Sequence, residues 1–182
     1  MEQARRLVAE HGVRGFKFHP SMQAFEPNDR TFYPLYEGIS DLGVPALFHT
    51  GQTGIGAGLP GGHGIKLRYS EPHAPRRRCG RLPGAHRHQA HPSVPWQEAA
   101  ISVATHKSNV FIDLSGWSPK YFPPQPVRGV NGLLKHKVLY GSDFPVLAAD
   151  RWMTDFAALE IKDAVRPLVL KDNAVALLGL NP

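Results

Sequence analysis

Several ionisable residues follow short apolar runs at the points where buried strands would end. They are His19, His49, Asp113 and Asp143, joined by His91 if the run AHPS closes a further strand. Neutral imidazole and carboxylate oxygen are good ligands for zinc or manganese, and a metal with an open coordination position lowers the pKa of a bound water to about 7. These residue types therefore predict metal-dependent or acid–base chemistry in one shared site.

The elements that must position these residues alternate between amphipathic helices and short apolar strands, as in α/β proteins. The pattern predicts helices over Glu2–His11, Tyr33–Leu42, Trp96–His106 and Ile161–Leu180. His19 lies 30 residues before His49, and Asp113 lies 30 residues before Asp143. This spacing is about the length of one βα unit.

Repeated βα units form either an open doubly wound sheet or a closed (β/α)8 barrel, and both bind ligands at the carboxyl ends of their strands. A cluster of imidazoles and carboxylates at those ends favours the metal-centred barrel. A barrel usually needs at least ~200 residues, whereas the chain has 182. We therefore expect one α/β domain over residues 1–182, a TIM-barrel-like (β/α)8 fold that is truncated at its amino end and holds about strands 4 to 8.

Composition and charge limit the cellular compartment and the classes of binding partner that we expect for this protein. The chain contains one cysteine and no apolar run near the ~18 residues of a membrane helix, so we expect a cytoplasmic protein that does not bind membranes. Its net charge is +6, but the segment Glu71–Ala90 holds five arginines against one glutamate. Because the rest of the chain is nearly balanced, we expect a small-molecule substrate, no nucleic-acid partner, and a homodimer as an open alternative.

Six runs of the sequence carry a family resemblance: GFKFHP, LYEGISDLGVPALFHTG, AHPSVPWQEA, NVFIDLSGWSPKYFPP, LYGSDFP and LKDNAVALLGL. They resemble the amidohydrolase-related barrel proteins, metal-dependent hydrolases that include non-oxidative decarboxylases. The resemblance implies a divalent metal, with zinc favoured over manganese or magnesium. It also implies hydrolysis of a small carboxylated or acyl substrate, with decarboxylation or a catalytically inactive fragment as alternatives.

The resemblance also assigns roles to individual residues. It makes His49 and Asp143 metal ligands, with Asp143 also accepting a proton from the metal-bound water, and it makes His91 the catalytic histidine. The family's paired histidines of the first strand have no counterpart here. His19, Lys17 and Trp117 are then expected to contact the substrate, Lys17 through an anionic group and Trp117 through an aromatic one. An ordinary packing role is the alternative for each.

Two segments invite other interpretations. Gly56, Gly58 and Gly61 match a GxGxxG pattern, but no strand directly precedes them, so we expect a loop over the site and no nucleotide cofactor. The segment Glu71–Ala90 lacks the apolar strand that the resemblance requires before His91. It is either a basic loop for phosphate or nucleic acid, or, as we favour, an out-of-frame read of a GC-rich gene. The second hypothesis predicts that this strand is lost.

Overall fold

The fold is built on a parallel sheet whose strands follow one another in chain order. The structure is a computed structural model and describes residues 1–73 and 87–180. The five strands described are β1 Phe16–Phe18, β2 Ala46–His49, β3 Arg87–Ala90, β4 Val110–Asp113 and β5 Val138–Leu139. Each strand pairs in parallel with the next, which is the arrangement of part of a TIM barrel.

Helices connect and flank the strands. They are α1 Glu2–His11, α2 Pro20–Gln23, α3 Tyr33–Asp41, α4 Gln97–His106, α5 Pro124–Val130, α6 Ala149–Ala157 and α7 Asn173–Leu178. A π-helical turn over Leu168–Asp172 leads directly into α7. No helix of the described residues has the length and apolar character needed to cross a membrane.

Most predicted elements are present. Helix α1 has the expected bounds, and Gly12 caps it in the left-handed conformation at φ +63°, where glycine carries no steric penalty. The final helical segment begins at Arg166 instead of Ile161, because residues 163–165 form a turn. Helix α6 was not predicted.

Strand β3 corrects the expectation that the strand before His91 is missing. Residues Arg87–Ala90 pair with β2 on one side and with β4 on the other. Pairing uses backbone N–H and C=O groups, so a run of polar residues can occupy a central strand when its neighbours supply both ladders. Residues 74–86 lie outside the described part of the chain, so the hypotheses of a basic loop and of an out-of-frame read stay predictions.

Two apolar clusters hold the helices against the sheet. The larger one joins α4, β4, α5, β5, α6 and the turn before α7. It includes the fully buried Trp152, whose ring stacks on that of Phe156 with centroids 4.8 Å apart. The smaller one packs α3 on β1 and β2, where Phe48 and Tyr36 meet edge to face. Both clusters fix the strands from the helical side. The carboxyl ends of the strands remain free to carry polar residues.

Candidate active site

A cavity at the carboxyl ends of the strands is lined by six of the residues that the sequence singled out, whereas Asp113, which was expected in the same site, does not line it. It has a volume of about 1080 Å³. The predicted site residues that line it are Lys17, His19, His49, His91, Trp117 and Asp143. They come from five separate segments of the chain, so the parallel sheet is what brings them together.

Three histidines lie side by side in this cavity. The ring of His19 stacks on that of His49 with centroids 3.8 Å apart, and His49 meets His91 edge to face at 4.5 Å. His49 and His91 are buried, with 6% and 5% of their surface exposed. The pKa of His49 is lowered to about 3, chiefly by burial and in smaller part by the neighbouring His91 and His19. His49 is therefore neutral at ordinary pH.

The hydrogen bonds of His49 and His19 show which ring nitrogen carries the hydrogen in each neutral side chain. His49 Nε2 lies 3.3 Å from the backbone carbonyl of Gln52, which can only accept, so the neutral ring carries its hydrogen on Nε2 and leaves Nδ1 bare. In His19, Nδ1 accepts from the Met22 backbone N–H at 3.2 Å. Burial is the main cause that lowers the pKa of His19, so its neutral ring carries a hydrogen on Nε2. His19 is a hydrogen-bond donor, as suits a substrate contact.

Lys17 and Asp143 form an ion pair within the cavity. Lys17 Nζ lies 3.7 Å from Asp143 Oδ1, and both side chains are partly exposed. Asp143 adopts φ +68°, a left-handed conformation that is uncommon for aspartate and is enriched at functional positions. Because exposed ion pairs contribute little to stability, the Lys17 ammonium can exchange Asp143 for another anion.

The donors present are too few for a complete metal site. A catalytic zinc site generally uses three protein ligands. His49, with a bare and neutral Nδ1, and Asp143 are suitable donors, but the N–H tautomer of His19 removes it from the set. Within residues 1–73 and 87–180, no group of three or more His, Cys, Asp or Glu side chains is arranged to hold a metal ion. The implied metal therefore does not fit the described residues alone.

Apolar and aromatic side chains form another part of the cavity wall. Trp117 and Tyr121 follow β4, and Ile55 and Leu67 come from the long loop after β2. The glycines of the GxGxxG pattern belong to this same loop; Gly56 and Gly61 line the cavity. The loop thus lies at the site, as expected, and its lining residues suit a planar apolar group.

The sequence did not predict that three residues after the apolar run of β4 contact His91. Asp113 ends β4, Ser115 and Gly116 follow it after Leu114, and Ser115 and Asp113 both hydrogen-bond to His91. The signal was a run, DLSG, that ends an apolar strand with small and polar residues. The sequence could place these residues at the strand end but could not show that His91 is their partner.

Comparison with known proteins agrees with this architecture. An uncharacterised TIM-barrel protein from Bordetella bronchiseptica is 24% identical with a TM-score of 0.82, over 98% of this chain and 61% of that one. A dihydroxybenzoic acid decarboxylase from Polaromonas sp. JS666, solved with manganese and 2-nitroresorcinol, is 17% identical with a TM-score of 0.69, over 100% and 65% of the two chains. A 4-oxalomesaconate hydratase from Rhodopseudomonas palustris is 16% identical with a TM-score of 0.63, over 98% and 59%.

These likenesses establish the fold. This chain spans about three fifths of the length of each of these structures. No curated protein matches it. The amidohydrolase family model Amidohydro_2 matches residues 1–180, which is nearly the whole chain. The chain therefore belongs to the amidohydrolase family and forms part of its TIM barrel.

Proposed function

We propose that this site removes the carboxylate of a small aromatic acid by non-oxidative decarboxylation. The observation that carries the proposal is the meeting of a cation, a neutral N–H donor and a buried histidine in one cavity with an aromatic wall. These groups are Lys17, His19 and His91, beside Trp117. Five of the structurally similar proteins are named as decarboxylases of dihydroxybenzoates or of 5-carboxyvanillate, which supports the same substrate class.

Lys17 and His19 are suited to bind the substrate carboxylate. The ammonium supplies charge, and His19 supplies a hydrogen on Nε2. A charge-assisted hydrogen bond to a carboxylate is about twice as strong as a neutral one. Binding would release Lys17 from Asp143, so the substrate carboxylate replaces that of Asp143.

His91 is suited to move the proton. Decarboxylation breaks the bond between the carboxylate carbon and the ring carbon, releases CO₂, and requires one proton at the ring carbon. His91 Nε2, which has no hydrogen-bond partner among the described residues, would first take up a proton from solvent and then deliver it to the ring carbon, which returns the imidazole to its neutral form. Proton transfer of this kind contributes about 10²- to 10⁴-fold to a rate.

Hydrolysis by a metal-activated water is the second candidate. It is favoured by the presence of two metal-type donors, His49 and Asp143, in the same cavity. Zinc is the metal first expected from the sequence, whereas the decarboxylase from Polaromonas was solved with manganese. Metal-activated hydrolysis needs further ligands in addition to these two. Decarboxylation uses the groups that the described residues already supply.

The two reactions can be separated on the 182-residue chain. The probes are 2,6-dihydroxybenzoate and 5-carboxyvanillate, with the methyl ester of each as a hydrolysis probe, all assayed with Mn²⁺ and with Zn²⁺. We expect CO₂ from the acids and, in D₂O, one deuterium at the carbon that lost the carboxylate. The His91→Asn variant should lose this activity, whereas His106→Asn, at an exposed position in α4, should keep it. Ester cleavage without CO₂ release would instead establish the hydrolase.

A further inference from the structure

Asp113 is a buried carboxylate that the proposed reaction does not yet use. It ends β4, is 6% exposed and does not line the cavity. Its Oδ1 accepts from the backbone N–H groups of His91 at 3.2 Å and of Ser115 at 2.9 Å, and also from the Ser115 hydroxyl. One oxygen of Asp113 thus hydrogen-bonds to both His91 and Ser115, which are 24 positions apart in the sequence.

The first effect of Asp113 is on the backbone of His91. His91 adopts φ +75°, in the left-handed region. A residue other than glycine typically pays about 1–3 kcal/mol to be held there, and such conformations persist only where surrounding contacts fix them. The hydrogen bond from the His91 N–H to Asp113 is such a contact. Asp113 therefore helps to direct the His91 side chain into the cavity.

The second effect is on the His91 ring, and it acts through Ser115. The Ser115 hydroxyl donates to Asp113, so its oxygen can only accept from His91 Nδ1, which lies 3.0 Å away. The Ser115 carbonyl, 2.8 Å from the same nitrogen, is also an acceptor. Two acceptors at Nδ1 require that Nδ1 carries the hydrogen. Nε2 is then the bare nitrogen of the neutral ring.

Gly116 leaves room for this ring orientation. A Cβ on Gly116 would lie 2.5 Å from His91 Nδ1 and 2.8 Å from Cε1, distances at which the ring must move. Gly116 also has φ +74°, which glycine adopts without strain. The run Asp113-Leu114-Ser115-Gly116 therefore provides the anchor, the acceptors and the space for one imidazole.

We propose that Asp113 is a positioning residue that, through Ser115, fixes His91 as the Nδ1–H tautomer with Nε2 open to the substrate. The inference deepens the proposed decarboxylation and rests on it for the role of His91. The tautomer itself is a property of the protein without substrate. It can therefore be measured independently of activity.

The test is ¹⁵N NMR of the full chain labelled at histidine, because the shifts of the two ring nitrogens and their long-range couplings show which one carries the hydrogen. The His91 signals are assigned by their loss in His91→Asn, and spectra are taken at pH 8.5 on three proteins: the wild type, Asp113→Ala and Asp113→Asn. We expect the Nδ1–H tautomer alone in the wild type. Asp113→Ala frees the Ser115 hydroxyl to donate to Nδ1, so both tautomers should appear. Asp113→Asn keeps an oxygen acceptor and should match the wild type.

A wild-type His91 that carries its hydrogen on Nε2 would overturn the inference, and this result does not depend on whether any Asp113 variant folds. An unchanged tautomer in folded Asp113→Ala would overturn it as well. The kinetic counterpart is a fall in kcat of about 100-fold or more in Asp113→Ala, with KM within about threefold, since Asp113 does not line the cavity. If the wild type shows Nδ1–H but releases no CO₂, the proposed function fails and the tautomer assignment stands.

Discussion

Gln89 is a polar side chain at an apolar position in the middle of the sheet. It lies on β3 in register with Phe48 of β2 and Ile112 of β4, and all three are buried. Gln89 Oε1 has no hydrogen-bond partner in the part of the chain that the structure describes. Leaving a buried acceptor without a donor costs about 1–3 kcal/mol. We therefore predict that Gln89→Met stabilises the protein.

The expected gain follows from the structure. Methionine has nearly the length and volume of glutamine, so the substitution removes the amide without creating a cavity. Relieving the unpaired oxygen should raise the free energy of unfolding by about 1–2 kcal/mol. For a chain of this size, each 1 kcal/mol shifts Tm by roughly 2–4 °C. Tm should therefore rise by about 2–8 °C.

Urea unfolding, followed by circular dichroism, measures the change. The matched control is Gln3→Met, because Gln3 is exposed on α1 and its substitution should stay within about 0.5 kcal/mol. If Gln89→Met is no more stable than the wild type, Oε1 has a donor in the folded protein. That result would refute the assignment of Gln89 Oε1 as an unpaired buried acceptor.

Three further predictions concern the cavity and the core. Lys17→Met should raise KM for the aromatic acids about tenfold with kcat little changed, because one charge-assisted contact is worth about 1.4 kcal/mol; Lys17→Arg should recover most of the loss, and equal KM values in all three would exclude a carboxylate contact. Asn173→Ala should destabilise by about 2–3 kcal/mol in urea unfolding, because the buried amide donates at 2.9 and 2.7 Å to two backbone carbonyls; a change below about 0.5 kcal/mol would show that these bonds are not made. Because the pKa of His49 is lowered to about 3, the free energy of unfolding should fall as the pH drops below about 6.5, since the unfolded chain then takes up a proton at His49 that the folded chain does not. In EDTA, the decrease in unfolding free energy between pH 7.5 and pH 5.0 should be about 2 kcal/mol smaller in His49→Gln than in the wild type. A decrease of the same size in both proteins would contradict the lowered pKa of His49.

The sequence was most informative where apolar runs end in ionisable residues. His19, His49, Asp113 and Asp143 were predicted to share one site because parallel strands bring their carboxyl ends to the same edge. The cavity contains His19, His49 and Asp143, whereas Asp113 hydrogen-bonds to the His91 backbone and does not line the cavity. Strands β2 and β4, which end in His49 and Asp113, each have three buried residues out of four. Local apolar pattern and tertiary position agree there.

Other features could not be predicted because their causes are distant in sequence. Strand β3 pairs with β2 and β4 on both sides, although three of its four residues are polar or charged. Helix α6 contains Trp152 and Phe156 at helical spacing, but it begins after Ala148 without a side-chain cap, so its start carried no signal. Ser115 and His91 are 24 positions apart in the sequence, so their hydrogen bond could not be predicted from a local pattern and is seen only in the folded sheet.

The central claim is that the cavity decarboxylates an aromatic acid through His91. The most direct measurement is the incubation of the chain with 2,6-dihydroxybenzoate in D₂O, with and without Mn²⁺, followed by mass spectrometry of the product and detection of CO₂. The account predicts equal amounts of CO₂ and of a singly deuterated decarboxylated product, both lost in His91→Asn and kept in His106→Asn. CO₂ release that persists unchanged in His91→Asn, or no release from any of the aromatic acids, would contradict it.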